Sequence, residues 1–500
     1  MTSVGDNRNF AGLLWQAASK WPDKAAIEDE AGRHTYRDLK DSAAAFADVL
    51  SAGGVRPGDP VCLLMRRGAG AAAAFFGASA IGAVVCLVNE AYKTRQIAHV
   101  LESTGCKHLV VAAEFWDSMQ RIPLGAALRI DPDQVGPVGL ATPIYRADAD
   151  PAQLTFTSGS TGRPKGVLSS HANLWAGAEV VPAYLGIVAG DRIASLLPFS
   201  FVYGFSQLCC ALLTGSTLVV ERATLPIDIV RGLRDARISV LAAVPPLWMQ
   251  LLQGGLEATP LPHLRIGTCA GGKLAPEIVR RVRVAQPHMR LFLMYGLTEV
   301  FRSTFLPPEE IDAHPDSMGR AVPGSEVFVL RDDGTPCGVD EVGELVHSGP
   351  TVALGYWADP ETTARVFRRN PLRSTEEGPV VFSGDLVRRD AEGRLYYVGR
   401  RDRMIKTLGF RVSPEEIADT LLASGLLQEA AVTSEPDVQR GERIVAHVCL
   451  KPGIALAQLR QFCGLELPRY MQPARYREYT QLPRNASGKI DLVALAALSP

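Results

Sequence analysis

One stretch of the sequence has the composition of a phosphate-holding loop. Thr157-Ser-Gly-Ser-Thr-Gly-Arg-Pro-Lys-Gly166 crowds hydroxyls, glycines and two cations directly after the apolar run Gln153-Leu-Thr-Phe156. Gly159 and Gly162 let a backbone curl so that its N–H groups converge on an anion. Thr157, Ser158, Ser160 and Thr161 supply hydroxyls, and Lys165 supplies a mobile cation suited to phosphate oxygens. The spacing is not that of a Walker loop, which ends in Gly-Lys-Ser/Thr. Gly267-Thr-Cys-Ala-Gly-Gly-Lys273 nearly fits that pattern, but Leu274 follows where the magnesium-binding hydroxyl is needed, so it is rejected. The bland reading of the first loop is a flexible Gly/Ser linker. Pro164-Lys-Gly166 running into an apolar segment argues against it.

Such a loop must be aimed by regular elements around it. Short apolar runs at 60–65, 83–88, 107–112, 192–197, 217–221, 239–244 and 264–269 alternate with helical stretches. This rhythm predicts an α/β fold with parallel sheets built from βαβ units. The most apolar stretch, Ala69 to Val88, is broken by glycines and small residues. It reads as a buried helix followed by a strand, because a membrane span needs about 20 strongly apolar residues. From Val327 to Val346 the pattern changes to short β-like runs broken by Asp332-Asp-Gly334 and Pro336-Cys-Gly338, which predicts hairpins. Ser413-Pro-Glu-Glu416 has the cap, proline and acids of a helix start.

Composition excludes several classes. Lys plus Arg number 52 against 53 for Asp plus Glu, so no net field draws the 500-residue chain to nucleic acid or to anionic lipid. The first ten residues lack a hydrophobic signal segment, and a cytoplasmic location is expected. The nine cysteines show no metal-ligand spacing; Cys209 and Cys210 read as buried free thiols.

Further motifs follow the loop in order. They are Met294-Tyr-Gly-Leu-Thr-Glu299, Gly343-Glu-Leu-Val-His-Ser-Gly349 with Gly355-Tyr-Trp357, Ser383-Gly-Asp385, Gly399-Arg-Arg-Asp402 and Pro483-Arg-Asn-Ala-Ser-Gly-Lys-Ile-Asp491. With the loop, they resemble the adenylate-forming superfamily of acyl-CoA synthetases, aryl-acid ligases, peptide-synthetase adenylation domains and beetle luciferase. The resemblance runs from about residue 10 to about 495. It implies a large N-terminal core over 1–401, with parallel sheets and a small barrel-like β part, and a small mobile α+β domain over 402–500. It also implies ATP and Mg2+ as cofactors, with coenzyme A or phosphopantetheine as acceptor.

By that resemblance, Glu299 looks like the magnesium ligand and Thr298 a phosphate contact. Tyr295 would lie against adenine, Asp385 would accept from both ribose hydroxyls, and Arg400 would reach the ribose and phosphate side. Lys489 looks like the lysine bridging the carboxylate and the α-phosphate. Asp402 resembles the hinge about which the C-terminal domain turns, replacing Lys489 by the loop Lys406-Thr-Leu-Gly-Phe-Arg411. Gly409 in that loop would line a tunnel for a pantetheine thiol. The chemistry makes the same demands: one anion attacking another at phosphorus requires converging cations. An isolated Glu or Asp would more often be a surface charge, and Lys406 and Arg411 could form a solvated basic face.

Leu197-Pro-Phe-Ser-Phe-Val-Tyr-Gly-Phe-Ser-Gln207, with Phe301-Arg-Ser-Thr304, Pro307-Pro-Glu-Glu310 and Val387-Arg-Arg-Asp390, resembles one branch of the superfamily. That branch holds stand-alone prolyl and other amino-acid carrier-protein ligases and exosortase-associated acyl-CoA ligases. Many of them carry an Asp, paired with the substrate ammonium, where Val202 stands here. A buried ammonium without its carboxylate would cost several kcal/mol. The expected substrate is therefore a small carboxylic acid without an α-amino group: aryl, cinnamoyl-like or aliphatic. Phe201, Val202, Tyr203, Ser206, Ala270, Gly271, Met294 and Phe301 are the expected wall. Arg302 either meets a second anionic group or is simply the residue that branch carries there.

Three alternatives stay open within the class: a stand-alone amino-acid or β-amino-acid enzyme loading a carrier protein, a carrier protein acting in trans as acceptor, and an amine acceptor. Outside it stand a Ser/Lys amidase, which leaves the later motifs unexplained, and a nucleotide-binding scaffold, which would not need Glu299 and Lys489.

Overall fold

The computed structural model describes residues 8–122, 128–157, 164–373, 378–401, 404–484 and 490–497. Ser158, Gly159, Ser160, Thr161 and Gly162 of the expected phosphate loop, the expected hinge Asp402 and the expected catalytic Lys489 lie outside these residues.

Each apolar run expected to be a strand is one. Pro60–Leu64, Val84–Leu87, His108–Val111, Leu128–Ile130 and Pro151–Thr157 form a parallel set, continued on one side by the antiparallel Lys165–Ser170 and then Gly355–Tyr356. A second sheet runs in parallel through Ala25–Asp29, Thr217–Val220, Arg192–Ser195, Val240–Ala243, Ile266–Cys269 and Arg290–Tyr295. The central strands are buried on both faces, which is why they read as continuous apolar runs rather than alternating ones. Helix Ala69–Ala80 has eleven of its twelve residues buried and is followed by Val84–Leu87, so its apolarity serves the core. No helix among the described residues is long and apolar enough to cross a membrane.

The β-rich segment is joined to the second sheet rather than standing apart. Thr304–Leu306 doubles back antiparallel to Arg290–Tyr295 and then pairs with Ser317–Ala321. The fully buried Thr304 fixes this turn by donating its hydroxyl to the Met318 carbonyl at 2.7 Å. From there Leu395–Arg400, Val380–Arg389, Gly343–Ser348 and Glu326–Leu330 continue the sheet antiparallel. The expected hairpin segment is the last of these pairs.

Strands Ile405–Thr407, Phe410–Val412, Leu427–Asp437, Gly441–Leu450 and Arg475–Glu478 form a third sheet with its own apolar cluster. Helix Pro414–Ala423 packs on it and starts where its sequence predicts: the Ser413 hydroxyl accepts from the Glu416 N–H at 3.2 Å. This unit meets the rest of the chain through aromatic and polar contacts. Phe410 stacks on Tyr470 with ring centroids 3.8 Å apart and turns its edge to Phe201 at 5.0 Å. Arg95 donates to the Thr420 hydroxyl at 3.0 Å.

Candidate active site

All three sheets contribute to one cavity of about 1140 Å³. Its wall includes the C-terminal ends of Ile266–Cys269 and Arg290–Tyr295, the edge in parallel α/β sheets where ligands bind. Strand Val380–Arg389 brings Asp385 to the cavity, and Leu395–Arg400 brings Arg400 opposite it in register.

Asp385 is the electrostatic centre. Arg400 donates to its Oδ1 at 2.6 Å, the Tyr295 hydroxyl donates to its Oδ2, and the Lys406 ammonium lies 3.9 Å from Oδ1. Burial alone would raise the Asp385 pKa; the charges of Lys406 and Arg400 outweigh it and hold the carboxyl below its ordinary 3.8. Lys406 is lowered from 10.5, chiefly by burial, with Asp385 opposing, and its ammonium sits 4.2 Å above the Tyr397 ring. Behind Tyr295, His347 stacks at 5.9 Å, its Nδ1 2.6 Å from the Ser303 hydroxyl. Burial lowers the His347 pKa to about 4, so it backs the site as a neutral ring.

Glu299 follows from the short 3-10 turn Thr298–Val300 and is 4 % exposed. The Tyr356 hydroxyl donates to its Oε1 at 2.6 Å, and its own backbone carbonyl accepts from the Ala353 N–H at 2.9 Å. One buried carboxylate beside a large cavity fits magnesium, which is held by one or two protein carboxylates and completed by phosphate oxygens and water.

Of the residues expected from sequence, Thr157, Thr298, Tyr295, Asp385, Arg400, Gly409, Phe201, Val202, Tyr203, Ala270, Gly271, Met294 and Phe301 line this cavity. Two expected residues do not. Lys165 donates to the Thr362 hydroxyl at 2.7 Å and pairs with Asp359 at 3.1 Å, so its charge is held away from the cavity. Ser206 is fully buried within helix Val202–Thr214, one turn behind the wall. Tyr356 on Glu299, Tyr397 under Lys406 and the Phe410–Tyr470 stack belong to the site without having been singled out. Tyr356 stood inside the Gly355-Tyr-Trp357 motif, but nothing in the motif names its partner.

The loop at Leu408 and Gly409 enters the cavity from the third sheet. Both residues have positive φ, 53° and 81°. A side chain at Gly409 would bring its Cβ to 2.9 Å from the Val244 Cβ, and the Gly409 carbonyl faces Gly271. Only glycine fits this crossing.

Glu416 lies at the same junction, buried among Tyr92, Tyr470, Arg95 and Asp419, and burial raises its pKa to about 8. Its folded-state pKa therefore exceeds the ordinary 4.5: the folded chain keeps a proton that the unfolded chain releases. The stability this supplies is complete below about pH 4.5 and is lost as pH rises through about 8. Thermal unfolding should show that decline, up to about 1.4 kcal/mol per pH unit, and Glu416→Gln should flatten it. An identical pH profile in the variant would mean that Glu416 titrates normally.

With this fold and cavity in view, the class is clear. Residues 14–357 match the family model of the AMP-binding enzymes and residues 416–489 that of their C-terminal domain, so the chain belongs to the AMP-binding, adenylate-forming enzyme family. It is similar, at 29 % identity over 503 residues, to L-proline--[L-prolyl-carrier protein] ligase of Pseudomonas fluorescens, covering 97 % of this chain and 98 % of that protein. A linear gramicidin synthase of Brevibacillus parabrevis is 30 % identical over 492 residues, 96 % of this chain, which spans only 10 % of that much longer protein. Among solved structures, a double mutant of o-succinylbenzoate CoA synthetase (MenE) from Bacillus subtilis is 26 % identical and superposes with a TM-score of 0.85, covering 97 % of each chain. That form is bound to the product analogue OSB-NCoA. The same synthetase in complex with AMP gives 0.71 over 96 % of each chain.

Proposed function

We propose that this protein activates a carboxylic acid as its acyl adenylate, releasing pyrophosphate, and passes the acyl group to the thiol of a pantetheine arm. The observation that carries the second step is the crossing at Gly409, Val244 and Gly271. A loop from the third sheet narrows a path into the cavity that holds Asp385 and Glu299, and backbone alone fits there. The higher score against the product-analogue complex than against the AMP complex supports reading this arrangement as the acyl-transfer one.

In the first half-reaction, Asp385, kept ionised by Arg400, accepts from the ribose hydroxyls, and Tyr295 lies along the adenine. Glu299 is the residue that would hold magnesium, which when bound neutralises phosphate charge. The acid's carboxylate attacks the α-phosphate in line and pyrophosphate departs. In the second, a thiolate attacks the acyl carbonyl and AMP departs as the leaving group. With Lys406 against Asp385, the nucleotide side is gripped by the same unit that lines the path for the thiol.

Val202 and the uncompensated Arg302 near it disfavour an ammonium group in the acid pocket. The relationship to a prolyl-carrier ligase keeps a carrier protein as the second candidate acceptor beside coenzyme A. Acid-dependent ATP–pyrophosphate exchange over aryl, cinnamic, aliphatic and amino acids tests the reading, followed by thioester formation with coenzyme A or a phosphopantetheinylated carrier. Exchange is expected with acids lacking an amino group. Val202→Asp should move preference toward amino acids by on the order of 10-fold or more; an unchanged ranking would remove Val202 from the pocket.

A further inference from the structure

Arg302 is a buried cation in the wall of this cavity. It is 2 % exposed, and its buried Nε and Nη2 have no hydrogen-bond partner among the described residues. Among the described residues no carboxylate forms an ion pair with it. The guanidinium rests instead on the face of Tyr203, whose ring centroid lies 5.0 Å from its carbon. The hydroxyls nearby are committed elsewhere: Tyr203 to Thr268 at 2.6 Å and Tyr184 to the Met294 sulfur at 3.0 Å. A guanidinium stays protonated at any ordinary pH, and an aromatic face replaces only part of the solvation it has lost.

The backbone holds Arg302 there under strain. Phe301 has φ 52° and ψ −61°, and the Arg302 N–H bonds the Val300 carbonyl two residues back, a tight turn of the unfavourable hand. The Phe301 ring is pressed against Gly177, where a Cβ would come within 2.6 Å of it. A strained turn locked by a close contact, presenting an unpaired buried cation to a pocket, is a receptor awaiting its anion.

We infer that the acid activated by this protein carries a second anionic group, a carboxylate on its acyl chain, which pairs with Arg302 while the first carboxylate is adenylated. The substrate class is thus a dicarboxylic acid. This rests on the cavity being the acid pocket of an adenylating enzyme.

The test is ATP–pyrophosphate exchange with short aliphatic and aryl dicarboxylates, each beside its own monomethyl ester. In the wild type, kcat/KM should favour the free dicarboxylate by at least about 100-fold, because the ester leaves Arg302 unpaired. In Arg302→Met the preference should collapse or reverse toward esters while the KM for ATP holds, and Arg302→Lys should keep part of it. Thermal stabilisation of the wild type by the dicarboxylate with ATP, but not by the ester, reads the same pairing without a variant. Equal use of acid and ester, or loss of both alike in Arg302→Met, would overturn the Arg302 assignment and leave acid activation standing. Silence with both members of every pair, in exchange and in stabilisation, would overturn the acid-activation reading beneath it.

Discussion

Gly409→Leu should stop acyl transfer to a thiol, by on the order of 100-fold or more, while acid-dependent ATP–pyrophosphate exchange stays near the wild-type rate. Two effects converge at this position. Its φ of 81° costs a residue with a side chain about 1–2 kcal/mol, and the first added carbon would lie 2.9 Å from Val244. The further atoms of leucine would add to the crowding where Gly409 passes Val244 and Gly271. Asp385, Arg400, Tyr295 and Glu299 are carried by strands and a turn of the large unit, outside the substituted loop. Rapid-quench measurement of adenylate and thioester in one reaction separates the two steps. Accumulation of acyl adenylate without thioester is the expected result. Parallel loss of both would mean that Gly409 serves the fold rather than the path.

Local physics explains which parts of this arrangement could be read in the sequence. Continuous apolar runs such as Val240–Ala243 can be satisfied only by a strand covered on both faces, so their state and position were legible. Ser413 was legible as a cap because its partner, the Glu416 N–H, lies three residues away. Asp385, Arg400 and Tyr295 were assigned to one site from ordered motifs, and the sheet brings them together. What escaped depends on partners far along the chain. The Lys165 cation pairs with Asp359, 194 positions on, and no local pattern distinguishes that lysine from one that reaches a phosphate. Tyr356 meets Glu299 only because the segment after Gly349 folds back over the 3-10 turn at Thr298. The isolation of Arg302 is a statement about every neighbour it lacks, which one-dimensional spacing does not encode.

Lys489→Ala should produce the mirror image of Gly409→Leu: exchange lowered by about 100- to 1,000-fold, and thioester formation from chemically prepared acyl adenylate largely retained. The expectation comes from charge. A carboxylate and a triphosphate repel each other, and the attack gains most from a cation that touches both in the transition state. Among the cations that the described structure brings to the cavity, Arg400 and Lys406 are already spent on Asp385. Lys165 is held by Asp359. Lys489, in the motif between the paired residues Arg484 and Ile490, is the lysine to which the resemblance of that motif assigns this contact. In the arrangement described, the loop carrying Lys406 and Gly409 fills the entrance, so Lys489 would act in a different placement of the third sheet. Two variants that each silence one half-reaction and spare the other would make that exchange of loops the simplest account of the pair. A Lys489→Ala protein that exchanges pyrophosphate normally would instead require a cation from the Ser158–Arg163 segment.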